Sequence, residues 1–86
     1  MRTIWKYSLS NSRKVEMPKG ATVLSVGMQF GDICIWALVE SDMPKEERVF
    51  EVYGTGTPIT GNLGKFIGTV QLAGGEFILH VFELIQ

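Results

Sequence analysis

Two runs of strand-forming residues, 21–30 and 33–40, are separated only by Gly31-Asp32. Two linking residues leave no room for a crossover, so the runs must fold back on each other as an antiparallel hairpin. Glycine at the first linking position suits a type II′ turn, and that turn fixes a register. Phe30 is then expected opposite Ile33, Met28 opposite Ile35, Val26 opposite Ala37 and Leu24 opposite Val39. This face is wholly apolar and belongs in a core. The reverse face sets Gln29 against Cys34, Gly27 against Trp36 and Ser25 against Leu38, a mixed surface suited to contact with something else.

The rest of the chain follows the same pattern. No window of about 11 residues keeps apolar groups at helical spacing without a glycine, a proline or a β-branched run. Strands are expected over 3–9, with Trp5 and Tyr7 on one side, and over 14–17 and 48–53. A second hairpin joins 65–72 to 77–85 around Ala73-Gly74-Gly75-Glu76. With Gly74-Gly75 at its turn, Leu72 faces Phe77, Val70 faces Leu79 and Gly68 faces Val81, while Thr69 pairs with His80 and Ile67 with Phe82 on the reverse side. Residues 41–46 read as a charged loop, and 54–64 as the longest loop, rich in glycine and threonine. The expectation is one all-β domain over residues 1–86, a small antiparallel sandwich or barrel of six to seven strands built from local hairpins.

Composition narrows the function. Apolar residues make up 45% of the chain, more than a core of 86 residues readily hides, which points to a homo-oligomer. A net charge of −1 gives no electrostatic footprint for duplex DNA. No stretch reaches the length of a membrane-spanning helix, and no signal-peptide core opens the chain. One cysteine and one histidine provide neither an internal disulfide nor a usual zinc site, so no metal and no cofactor are expected.

Candidate ligand contacts gather around the long loop. Gly54-Thr55-Gly56-Thr57, preceded by Tyr53, reads either as a structural turn or as a cradle whose backbone N–H groups and hydroxyls meet an anion. It lacks the lysine and the following helix of a nucleotide-hydrolysing P-loop. His80, in mid-strand, reads as a buried histidine hydrogen-bonded to Thr69 or as a ligand contact. Cys34 reads as a small core hydrophobe. Trp36, opposite a glycine, reads as core packing, a subunit contact or a platform for a planar ring. Lys45-Glu46-Glu47-Arg48 reads most simply as a solvated loop entering a strand; the other reading sets Arg48 beside the Gly54 loop, where a guanidinium can pair with a phosphate. No nucleophile with a base, no acid–base pair and no metal cluster is visible, so a binding protein is expected rather than an enzyme.

The stretches Thr3-Ile4-Trp5-Lys6-Tyr7, Met17-Pro18-Lys19-Gly20-Ala21, Trp36-Ala37-Leu38-Val39, Gly54-Thr55-Gly56 and His80-Val81-Phe82-Glu83, taken together, resemble a family of small uncharacterised bacteriophage and prophage proteins. The resemblance implies an accessory role in the cytoplasm of an infected host cell and brings no catalytic residues. The resulting expectation is a counter-defence sponge that sequesters a nucleotide-type immune signalling molecule. Its rivals are a protein inhibitor of a host enzyme and an accessory of virion assembly.

Overall fold

The computed structural model describes residues 1–84, so Ile85, expected at the end of the last strand, lies outside the described residues. Seven strands are present: β1 (Arg2–Ser8), β2 (Lys14–Pro18), β3 (Thr22–Gln29), β4 (Asp32–Glu40), β5 (Lys45–Gly54), β6 (Lys65–Leu72) and β7 (Phe77–Leu84). They form two antiparallel sheets, β1-β4-β3 and β2-β5-β7-β6, packed face to face as a sandwich. The alternation along each strand decides which side is inward. Ile33, Ile35, Ala37 and Val39 of β4 meet Val15 and Met17 of β2, Phe50 of β5, Val70 of β6 and Val81 of β7 in one buried cluster. Trp5 and Tyr7 of β1 and Val26 and Met28 of β3 pack around it. Leu9, just past β1, is fully buried and donates its N–H to the carbonyl of Ile33 at 2.8 Å.

The first hairpin turns one residue earlier than its glycine suggests. Phe30 and Gly31 are the two turn residues, with φ of +50° and +81°, a type I′ pair closed by Gln29 opposite Asp32. The register therefore moves by two. Met28 pairs with Ile33, Val26 with Ile35 and Gly27 with Cys34, in place of the expected partners. A shift of two keeps every side chain on its expected face. Two expected core residues are nevertheless outside. Phe30 sits at the tip of the turn, 94% exposed, and a bulge between Val23 and Ser25 turns Leu24 out to 50% exposure.

The second hairpin has the expected pairs from Leu72–Phe77 to Gly68–Val81, and then a bulge at Ile67. The bulge sends Ile67 toward the core and brings Phe66, not Ile67, opposite Phe82. It falls where the two sheets come closest. A side-chain carbon at Gly68 would stand 2.6 Å from Cγ1 of Val26 on β3, so only glycine permits that approach. The segment expected as a charged loop is partly strand. Lys45, Glu46 and Glu47 extend β5 and pair with Pro18, Met17 and Glu16 of β2, a long-range partner that no local pattern announces.

Candidate functional site

The long β5 carries the Gly/Thr segment at one end and Arg48 near the other. Six residues of strand, about 20 Å, separate Arg48 from Gly54, so the expected placement of Arg48 beside the loop is corrected. Its guanidinium grips both carboxylate oxygens of Glu83 on β7, with Nε on Oε2 and Nη2 on Oε1 at 3.0 Å. Nη1 donates to the carbonyl of Ala21 at 2.8 Å. Glu83 raises the arginine's pKa and the donors facing it are spent within the fold. Arg48 thus ties β5 and β7 to the entry of β3.

Trp36 lies on the other sheet. It faces away from the core between Lys6 and Ser25, and its indole reaches diagonally over Gly27, where a side-chain carbon would be 3.5 Å from Cζ3. Lys6 extends across the same face to Gln29, Nζ to Oε1 2.5 Å, passing over the row that holds Cys34. Cys34, on the row between them, is buried.

Tyr53, Gly54, Thr55, Gly56, Thr57 and His80 do come together, where β5 ends beside β7. The chain turns at once: Thr57 donates its N–H to the carbonyl of Gly54 at 3.1 Å, with Gly56 at φ +86°, as a type II turn requires. Thr55 donates its own N–H to the carbonyl of Ile78 at 3.2 Å. Two of the backbone donors that an anion cradle would use are thereby engaged. The threonine hydroxyl does different work. Thr55 Oγ1 is 2.7 Å from Nε2 of His80, and Thr69 Oγ1 is 3.0 Å from Nδ1, so the ring is held on both nitrogens. His80 is half-buried on the outward face, where a fully buried histidine was one of the expected readings.

Strand alternation builds a surface around this ring. Across the outer face of the four-stranded sheet one row reads Tyr53, His80, Thr69, and the next reads Glu51, Phe82, Phe66. Phe82 is the centre: Phe66 lies tilted against it at 5.3 Å between centroids, and Tyr53 meets it edge-on at 5.9 Å. Phe66 is 55% exposed, so an aromatic face is open to solvent. Beside the rings, Oε1 of Glu51 is buried and has no hydrogen-bond partner among the described residues. The neighbouring Glu51 carboxylate also raises the pKa of Tyr53. Phe66, Phe82, Thr69 and Glu51 complete a site of which sequence reasoning named only Tyr53, the loop and His80. The cross-strand pairing of Thr69 and the outward position of Phe82 were available signals. Phe66 was not, because the bulge that turns it outward has no local signature.

Among the described residues there is no group of three or more His, Cys, Asp or Glu side chains able to hold a metal ion, and no helix long and apolar enough to cross a membrane. Fold and site define a small β-sandwich whose four-stranded sheet presents an aromatic outer face. The chain belongs to a family classed as a domain of unknown function, DUF7352, whose profile matches residues 1–86. Neither the curated proteins nor the solved structures give a significant match.

Proposed function

We propose that this protein is a non-catalytic binding domain that captures a nucleotide-type molecule on the outer face of its four-stranded sheet, with the base stacked on Phe66 and Phe82. The observation that carries this reading is the open aromatic row flanked by the part-exposed Glu51 carboxylate. Every base has a stacking face, and the part-exposed Glu51 carboxylate beside the rings is an acceptor suited to an N–H donor such as an exocyclic amino group. The hydroxyls of Thr55 and Thr69, each fixed by a nitrogen of the His80 ring, border the platform and offer polar contacts to the sugar or phosphate side. The resemblance to phage proteins supports a reading in which this capture takes place in the cytoplasm of an infected cell, as a counter-defence sponge for an immune signal.

To test it, the purified protein is incubated with a panel of cyclic nucleotides and ADP-ribose derivatives, washed and heated, and the released molecules are identified by mass spectrometry. A retained nucleotide is expected, with retention reduced about tenfold or more by Phe66→Ala, since one stacked base is worth about 1–3 kcal/mol. No retention across the panel refutes the ligand. Full retention by folded Phe66→Ala refutes the platform.

One observation favours a second reading. Arg48 and the N–H groups of Thr55 and Thr57 are engaged internally, so the anion-binding groups expected from the sequence are spent. An aromatic sheet face with few free cations also suits a protein surface, and inhibition of a host enzyme is the corresponding function. Pull-down of one defined host enzyme, lost on Phe66→Ala and unaffected by nucleotides, would select it.

A further inference from the structure

The outer edge of β1 is a weakly protected strand edge, and its chemistry is self-complementary. Two backbone hydrogen bonds fix its polarity: Ser41 N–H donates to the carbonyl of Met1 at 2.9 Å, and Leu9 N–H donates to the carbonyl of Ile33 at 2.8 Å. Both are odd-numbered positions in the register that pairs Arg2 with Glu40 through Ser8 with Cys34. Hydrogen-bonded and non-hydrogen-bonded pairs alternate in an antiparallel ladder. The N–H and C=O groups of Thr3, Trp5 and Tyr7 therefore bond to β4, and those of Arg2, Ile4, Lys6 and Ser8 point outward. None of these outward groups has a partner among the described residues.

The other edges carry the usual protections, which β1 largely lacks. β2 has five residues and ends in Pro18. β3 and β6 each contain a bulge and lie against one another where Val26 meets Gly68. β1 runs seven residues in unbroken register, with no proline and no glycine. Its mid-strand cation is a weakened guard, because the Lys6 ammonium reaches across the sheet to Gln29, and the charge that remains limits which registers are tolerated.

We infer that β1 pairs with β1 of a second copy, antiparallel about a two-fold axis through Trp5, to give a continuous six-stranded sheet β3-β4-β1-β1-β4-β3. Register arithmetic selects the occupant. Only outward-pointing residues can exchange bonds, which leaves three centred registers. Centring on Ile4 sets Arg2 against Lys6, and centring on Lys6 sets that lysine against itself, so both oppose like charges. Centring on Trp5 sets Arg2 against Ser8 and Ile4 against Lys6, satisfies all four outward residues of each copy, and opposes no like charges. It also brings the half-buried Trp5 of each copy together as a non-hydrogen-bonded pair, where side chains approach most closely. The 55% exposed Ile4 gains the aliphatic stem of Lys6 as its neighbour. This dimer stands independently of the ligand reading, because the aromatic row lies on the other sheet.

Sedimentation equilibrium on the full chain and on two substitutions at one exposed position tests both dimer and register. The wild type is expected at twice 9.6 kDa. Ile4→Lys opposes lysine to lysine twice per dimer, whereas Ile4→Glu opposes glutamate to lysine twice, so the former should associate about tenfold or more weakly than the latter. Hydrogen exchange gives the independent readout: the Ile4 and Lys6 amides are protected in the wild-type dimer and exposed in Ile4→Lys. A wild-type monomer up to the solubility limit overturns the proposal. So does equal association of the two variants, or a dimer in which those amides exchange freely.

Discussion

Truncating Arg48 to alanine separates a structural role from a binding role in one experiment. The Arg48 and Glu83 side chains are only 17% and 12% exposed, so the pair is largely removed from water. Arg48→Ala deletes both bonds to Glu83 and the bond to the Ala21 carbonyl, leaving a carboxylate with its charge uncompensated. Removing one half of a buried pair costs about 3–5 kcal/mol. The remaining solvent access lowers this to about 2–3 kcal/mol here. For a domain of this size each kcal/mol moves Tm by about 4–8 °C, so thermal unfolding followed by circular dichroism should show a fall of roughly 10–20 °C. The double substitution Arg48→Met with Glu83→Leu should recover most of that loss, because two apolar groups leave no charge behind. An Arg48→Ala protein that unfolds within about 2 °C of the wild type would refute the assignment and return Arg48 to the list of free ligand contacts.

Two further substitutions probe strain and burial. Phe30→Asn should raise stability by about 0.5–1 kcal/mol in urea unfolding, because Phe30 sits at φ +50°, where asparagine is far better tolerated, and its exposed ring contributes no packing. Tyr7→Phe should also stabilise, by about 1 kcal/mol, since the Tyr7 hydroxyl is buried without a partner among the described residues. Burial raises the Tyr7 pKa above its ordinary 10.0, so the fold favours the neutral phenol. Its contribution is complete below pH 10 and is lost as pH rises through the higher folded-state value. Alkaline unfolding should therefore be less steep in Tyr7→Phe, with the remaining dependence including Tyr53, whose pKa is also raised.

The strands were legible because β alternation is a local property, and the second hairpin's register was legible because two adjacent glycines mark its turn. The first hairpin slipped because the rule that penalises a bulky residue at positive φ is a cost, not a prohibition. Here Phe30 accepts the left-handed conformation, and the core face forms all the same because a shift of two preserves it. The sandwich itself rests on the pairings β1–β4, β2–β5 and β5–β7, which link residues far apart in the chain and leave no mark in any short window. For that reason local pattern sets Arg48 beside the nearest glycine loop, whereas its partner Glu83 lies 35 positions further on. The candidate site was half legible. Tyr53, the Gly/Thr segment and His80 converge because one strand end delivers all of them, whereas Trp36 belongs to the other sheet. Phe66 entered only through the bulge at Ile67, a tertiary consequence of packing β6 against β3.

The outer face of the four-stranded sheet is the proposed binding surface. It is tested most directly by backbone amide NMR during titration with the nucleotide retained from the panel. Shifts should be confined to Glu51, Tyr53, Thr55, Phe66, Thr69, His80 and Phe82, with Trp36 and Arg48 unmoved. Shifts centred on Trp36 or Arg48, with the aromatic row silent, would contradict this assignment.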